Sequence, residues 1–379
     1  MSAKNEKTQR KPKVSEDAKK WLKALKGFQP QRLDLTWDVS DNQLTDEFFH
    51  QHLTNLISNV KLHIDVILKT GDLPKPASVW SIRPSPSNLE LERCIDAVAR
   101  PDLLDDNPWD DLIACDVKRM AVMRGVIMGV YERQVFSEHL FGADDKQLKA
   151  LQDQDETFLQ HDGFRRAHLR ATTTKMLLAE THGVPPLFWE KVDKLATRVF
   201  RLILPVVIWA TETRPEGSND ADIRQVFAAI HIDVAYAAWI SVLVRLSPSI
   251  LRFEWKRPGD RYLPDQLQIY PDILFNSQRG HWDRDAAAAL TRSKNAFPPG
   301  SKVAGPPARN TRVMICVVPL IERLRLVGDD MGGEPFGFER IVLQDCRVIY
   351  YHGLEDDGKD REEFRKPLCH NQHHQRRRK

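Results

Sequence analysis

"RQVFAAIHIDVAYAAWISVLVRLSPSILRFEWKRPGD", Arg224 to Asp260, changes its periodicity once, and that change sets the fold class. Before Ser247 the apolar residues recur at helical spacing on more than one face: Phe227, Ile230, Val234, Ala238 and Val242 line one, while Trp239, Ile240 and Val244 cover much of another. A helix with so little polar surface has to be enclosed by other elements, so the stretch predicts a central helix with helical layers around it. After Ser247-Pro248-Ser249 the period becomes two, with Leu251, Phe253 and Trp255 facing one way and Arg252, Glu254 and Lys256 the other. That pattern predicts a half-buried strand closed by an Arg257-Pro258-Gly259-Asp260 turn. The segment beyond, with Leu263, Leu267, Ile269 and Tyr270, is expected to return as the second arm of a hairpin over the end of the central helix.

Upstream, helical signals repeat. Ser40 and Gln43 have capping-box spacing, and Phe49, Leu53, Leu56, Val60, Ile64 and Ile67 form an apolar stripe that stops before Gly71. Ser87 and Glu90 repeat the cap before "LELERCIDAVA", which Pro101 ends. A third helix covers roughly Cys115 to Leu140, with Met120, Met123, Ile127 and Val130 on its stripe and Arg119, Arg124 and Arg133 off it. Asp162 is an N-cap candidate for the next, Gly183 its stop, and Pro186 opens a further helix that Pro205 bends or ends. Downstream, Val313–Val318 and Arg340–Tyr351 read as strands.

The expected fold is therefore mainly α, a multi-helix array of about six long helices with a small C-terminal β portion. Its expected organisation is a disordered basic tail over 1–30, a helical core domain over 31–290 with a strand near 250–256, a flexible Pro/Gly loop over 291–311, a β-rich part over 312–358 packed on the core, and a second disordered basic tail over 359–379.

Of the 379 residues 41% are hydrophobic and 29% charged, which excludes wholesale disorder. Residues 1–26 hold nine lysines and arginines against three acids, and residues 365–379 hold six against none. With a total of +3, the body between those ends is net acidic at about −9. Nucleic-acid contacts, or a nuclear-import signal, are thus expected only at the ends, through Arg10, Lys11, Lys13, Arg376, Arg377, Arg378 and Lys379. Five scattered cysteines and no Asn-x-Ser/Thr acceptor point to reduced thiols in an intracellular protein, cytoplasmic or nuclear. The first twenty residues lack the apolar run of a secretory signal. Gln225–Val244 is long enough to span a bilayer but contains His231 and Asp233, so a buried core helix is expected and no membrane span.

From about residue 110 to 275, the run of helices ending in "VRLSPS" and followed by "ILRFEWKRPGDRYLPDQLQIYPDIL" resembles a family of uncharacterised helical proteins from filamentous ascomycete fungi. The resemblance implies a lineage and a helical fold and supplies no site.

Motifs for chemistry are sparse. Glu254-x-Lys256 with Pro264-Asp265 has the parts of a metal-dependent nuclease in the reverse order, and an ordinary amphipathic strand fits better. Cys369, His370, His373 and His374 are too close together to surround one zinc ion, so no metal is expected there. Asp102, Asp105, Asp106, Asp110 and Asp111 lack the order of a calcium loop and fit a helix cap. His231 reads as a satisfied core histidine. No dinucleotide, P-loop, zincin or nucleophile-elbow motif occurs, and no cofactor is implied. The expected function is an intracellular helical interaction or regulatory protein without a recognisable catalytic site, working through an unidentified protein partner. Its candidate partner-binding residues are Arg252, Glu254, Lys256 and Tyr262 on the strand and turn. A nucleic-acid-associated protein using the basic ends, or an enzyme of unrecognised type, are the alternatives.

Overall fold

The computed structural model describes residues 21–69, 86–102, 108–212, 222–294, 309–327 and 337–354. Residues 1–20 and 355–379 of the two basic ends, and 295–308 of the Pro/Gly-rich stretch, lie outside the described residues. Of the expected tail and loop, Trp21, Leu22, Leu25 and Phe28 pack on the core, 291–294 are helical and 309–311 are strand. Nine α-helices are described: α1 (Asp46–Leu68), α2 (Pro86–Val98), α3 (Pro108–Ala114), α4 (Asp116–Tyr131), α5 (Asp145–Thr157), α6 (Gly163–Ala179), α7 (Phe188–Glu212), α8 (Ile223–Leu246) and α9 (Pro271–Lys294). The chain is mainly α as the periodicity demands, but eight of these helices, rather than about six, reach 13 residues or more.

Helix α8 is the central one. Sixteen of its residues are buried, on all sides of the helix, against α1, α6 and α7. It is also long and apolar enough to cross a bilayer, and in this fold protein surrounds it. Two buried polar side chains on α8 each find a partner on a neighbouring helix: His231 Nε2 meets Asp193 Oδ1 of α7 at 2.8 Å, and Asp233 Oδ2 meets His63 Nδ1 of α1 at 2.8 Å. The two residues thus point to different neighbours, and His231 is a core histidine stacked on Trp189.

Local signals place some helix ends and miss others: Ser87, read as a cap, lies inside α2, which is already helical at Pro86. Asp162 caps α6 by accepting from Phe164 N at 2.8 Å and Arg165 N at 2.9 Å, and Gly183, with φ +83°, ends the following turn. The Ser40–Gln43 capping box, however, closes a separate 3-10 turn, Asp41–Gln43, and the cap of α1 is Thr45, whose hydroxyl accepts from Phe48 N. Pro205 does not end α7, which continues to Glu212 because Val206, Val207, Trp209 and Ala210 are all buried and packing outweighs the missing amide donor.

Helix α4 departs furthest from its pattern. Every residue from Arg119 to Tyr131 is buried, arginines included, so it has no polar face. Arg119 is fully buried and donates to the last carbonyls of two helices, Leu68 of α1 at 3.0 Å and Ile113 and Ala114 of α3 at 2.9 and 3.0 Å, and also pairs with Asp116 at 2.6 Å. Its planar fork satisfies carbonyls that helix ends leave without partners. Past Tyr131 the helix widens into a π turn, Glu132–Phe136. The carbonyls released there accept from α8: Ser241 Oγ bonds Val135 O at 3.0 Å, and Arg245 bonds Phe136 O and Glu138 O.

The β portion comprises β1 (Ile250–Glu254), β2 (Gln266–Gln268), β3 (Arg309–Val318), β4 (Leu320–Leu326), β5 (Phe338–Gln344) and β6 (Cys346–Leu354). Pro319 alone separates β3 from β4, and Asp345 alone separates β5 from β6. The four strands are therefore one long antiparallel hairpin bent in the middle, its halves forming sheets β1-β4-β5 and β2-β6-β3. The expected hairpin of β1 with its own return does not form. β1 joins β4 antiparallel at one edge of the first half, and β2 joins β6 in parallel at the opposite edge of the second half. A strand already offered two long partners gains more backbone bonds there than across a turn with two prolines. Arg323 of β4, buried, ties this ribbon to the helices by donating to Ser247 Oγ at 2.7 Å, Ser249 Oγ at 3.0 Å and Asp46 Oδ1 at 2.6 Å. This gives the "SPS" link its role.

Replacing Arg119 by Met is expected to lower stability by about 3 to 5 kcal/mol, because Asp116 and three helix-end carbonyls lose their buried donor. Denaturant unfolding checks it, and Arg119→Lys should recover only part. The His63–Asp233 pair predicts a pH effect. The hydrogen bond that His63 donates to the Asp233 carboxylate raises His63 above its ordinary value, while burial raises Asp233. A raised histidine contributes fully below about pH 6.5 and loses its contribution as pH climbs through the folded value. The melting temperature should therefore fall as pH rises above about 6.5, and His63→Gln should remove that part of the fall.

Candidate functional site

The bend of the ribbon leaves a cleft of about 280 Å³ between the sheet and two helices. Helix α1 supplies Ile57, Val60 and Lys61, and α4 supplies Arg124 and Met128, four residues apart and hence on one face. From the sheet side come Val317 and Val318 of β3 and Arg347 of β6, and Ile269 and Tyr270 close the rim. Arg347 alternates with Cys346 and Val348, so the strand turns it to the face opposite theirs. Gly125 makes the seat for the sheet: a Cβ there would stand 2.7 Å from the carbonyl oxygen of Cys316, so only glycine lets α4 approach β3 this closely.

The cleft is apolar on its walls and cationic at three points. Arg124, 5% exposed, pairs with Asp65 through one terminal nitrogen and donates to the Tyr270 hydroxyl at 3.2 Å through the other. Its Nε has no acceptor, and neither has the buried Nε of Arg347. No ion pair joins Lys61 or Arg347 among the described residues, so three cations face one carboxylate. Tyr270 has φ +53°, a left-handed conformation that costs a non-glycine residue about 1 kcal/mol or more. It is held there because Ile269 N bonds Val348 O at 2.9 Å, extending the sheet, while Tyr270 O accepts from Ile273 N at 3.1 Å, starting α9.

The strand residues singled out by sequence lie on the ribbon and beside the cleft rather than in it. Arg252, exposed, pairs with Glu254 at 3.0 Å and Glu322 at 3.7 Å; Lys256 pairs with Glu254 at 3.1 Å and Asp265 at 3.6 Å. The structure brings these five charges and Arg340 of β5 into one chain of ion pairs that crosses β5, β4 and β1. Burial pushes the Lys256 ammonium down, but Glu254 and Asp265 outweigh it and hold the value above that of free lysine. With Glu254 and Asp265 both neutralising Lys256, the acidic-x-lysine pattern serves the strands as a staple. Tyr262 stands apart, exposed, its ring 5.3 Å from that of Tyr350. Arg10, Lys11, Lys13, Arg376, Arg377, Arg378, Lys379 and the Cys369–His374 cluster lie outside the described residues.

Sequence reasoning missed Lys61, Arg124, Tyr270 and Arg347 as a group, since they come from four separate elements. One signal was present: an arginine on a helix whose other positions are almost all apolar needs a specific acceptor.

Compared with known proteins, the chain matches no family model, no curated protein and no solved structure.

Proposed function

We propose that the protein is an intracellular regulatory or interaction protein that binds, in this cleft, a small anion carrying a short apolar body. The observation that carries the reading is the convergence of three cationic side chains, Lys61, Arg124 and Arg347, on one apolar-walled cavity. A carboxylate or phosphate accepts such forked donors, and its hydrocarbon part would lie against Ile57, Val60 and Met128. The lining offers cationic donors and one phenol, a set suited to holding an anion.

The intracellular part of the reading draws on Cys94, Cys115, Cys316 and Cys346 all standing as thiols, and the fungal lineage on the resemblance of residues 110 to 275. Phe275 and Trp282, seven residues apart on α9 and both about two-thirds exposed, are the apolar surface a protein partner would cover. A second reading, nucleic-acid association in the nucleus, rests on the charge of the ends.

Octyl phosphate is a suitable probe. At about a hundredfold excess over its dissociation constant it should raise the melting temperature by about 5 °C, and Arg347→Gln should abolish the shift without changing the stability of the free protein. Octanol or inorganic phosphate alone should have little effect. An equal shift from either, or none from octyl phosphate, would overturn the reading.

A further inference from the structure

The face of β3 and β6 turned away from the cleft carries two thiols. Cys316 Sγ and Cys346 Sγ lie 3.9 Å apart on neighbouring strands, with Cys316 opposite Val348 and therefore diagonal to Cys346. Both are buried in a small cluster with Val313, Leu320, Val348 and Tyr350, roofed by Trp255 and Leu274. The residue after Trp255 is Lys256, whose side chain is only 11% exposed and whose ammonium charge and backbone N–H both act on Cys346. The two thiols are inequivalent. Burial drives Cys316 well above its ordinary value, whereas Cys346 is lowered, first by the hydrogen bond from Cys316 and then by Lys256. A register shift between Cys316 and Val318 gives this part of β3 slack to bring the sulfurs from 3.9 Å to bonding distance.

We propose that Cys316 and Cys346 form a dithiol site for hydrogen peroxide, with Cys346 the attacking sulfur, Cys316 the resolving sulfur and Lys256 the cation that stabilises charge on Cys346. The Cys346 sulfur attacks one peroxide oxygen: an S–O bond forms, the O–O bond breaks, and hydroxide leaves with the proton of the Cys346 thiol as water. Cys316 then attacks the sulfenic sulfur: the S–S bond forms, the S–O bond breaks, and the departing hydroxide takes the Cys316 proton as a second water. The two sulfurs together lose two electrons and the peroxide gains them. Both sulfurs are out of contact with water, so the site requires a small neutral oxidant admitted by local opening of the sheet and is closed to a bulky disulfide.

The test uses the full chain and no cleft ligand, so its outcome is independent of the binding reading. Protein treated with hydrogen peroxide is digested without reductant and mapped by mass spectrometry. The expected product is the Cys316–Cys346 linked peptide pair, reversed by dithiothreitol and absent after treatment with oxidised glutathione. In Lys256→Met the rate near neutral pH should fall about tenfold, with its pH profile displaced upward, and Lys256→Arg should restore it. Three results would overturn the proposal: both thiols surviving until denaturant is added, Cys346 accumulating as sulfinic acid beside an unreacted Cys316, or an unchanged rate and pH profile in Lys256→Met.

Discussion

Helix α4 has no face left for water, and the rest of the molecule is arranged to make that tolerable. Its flank against the sheet is cut down to glycine at position 125, where the carbonyl of Cys316 comes within 2.7 Å of where a Cβ would stand. The two arginines that its sequence carries inside this enclosure need acceptors at once, since an unpaired guanidinium in a packed interior costs several kcal/mol. Arg119 finds them in the ends of α1 and α3 and so fixes where those helices stop. Arg124 finds them in Asp65 and Tyr270, and the space left beside it is the cleft. The architecture and the cleft are answers to one desolvation problem.

The bent ribbon adds a second economy of structure. One stretch of chain, Ile250 to Tyr270, runs along one edge of the ribbon's first half and the opposite edge of its second, so neither half keeps two bare edges. Because strand residues alternate, the same few positions serve two chemistries. Val317 and Arg347 look into the cleft, and Cys316 and Cys346, their immediate neighbours, look into the pocket roofed by Trp255. Any covalent tie between the thiols pulls on the backbone that carries Arg347.

What the sequence made legible follows from how local each signal is. The stripe of α1, the all-round apolarity of α8, the Asp162 cap and the Gly183 stop are decided within a few residues, and each is where the pattern puts it. Spacing puts Arg119 and Arg124 off the apolar stripe but cannot show that the helix is covered on that side too. The pairing of β1 with β4 rather than with its own return depends on partners some seventy residues away in the chain. The cleft was illegible for the same reason: Lys61, Arg124, Tyr270 and Arg347 become neighbours only after α1, α4 and the ribbon have packed.

The π turn at Glu132–Phe136 bears on how the chain tolerates changes of length. A π turn holds one residue more than the α-helical path it replaces, and here the surplus is what frees the carbonyls that Ser241 and Arg245 capture and turns Glu132 to accept from Trp255. Losing a single residue from this span would restore a continuous helix and rotate every following position by about 100°, uncoupling α8 and the first sheet together. Related chains that keep the Ser241, Arg245 and Trp255 contacts are therefore bound to the same residue count between Tyr131 and Leu140. Along this chain, insertions and deletions should be filtered by position as strictly as substitutions are.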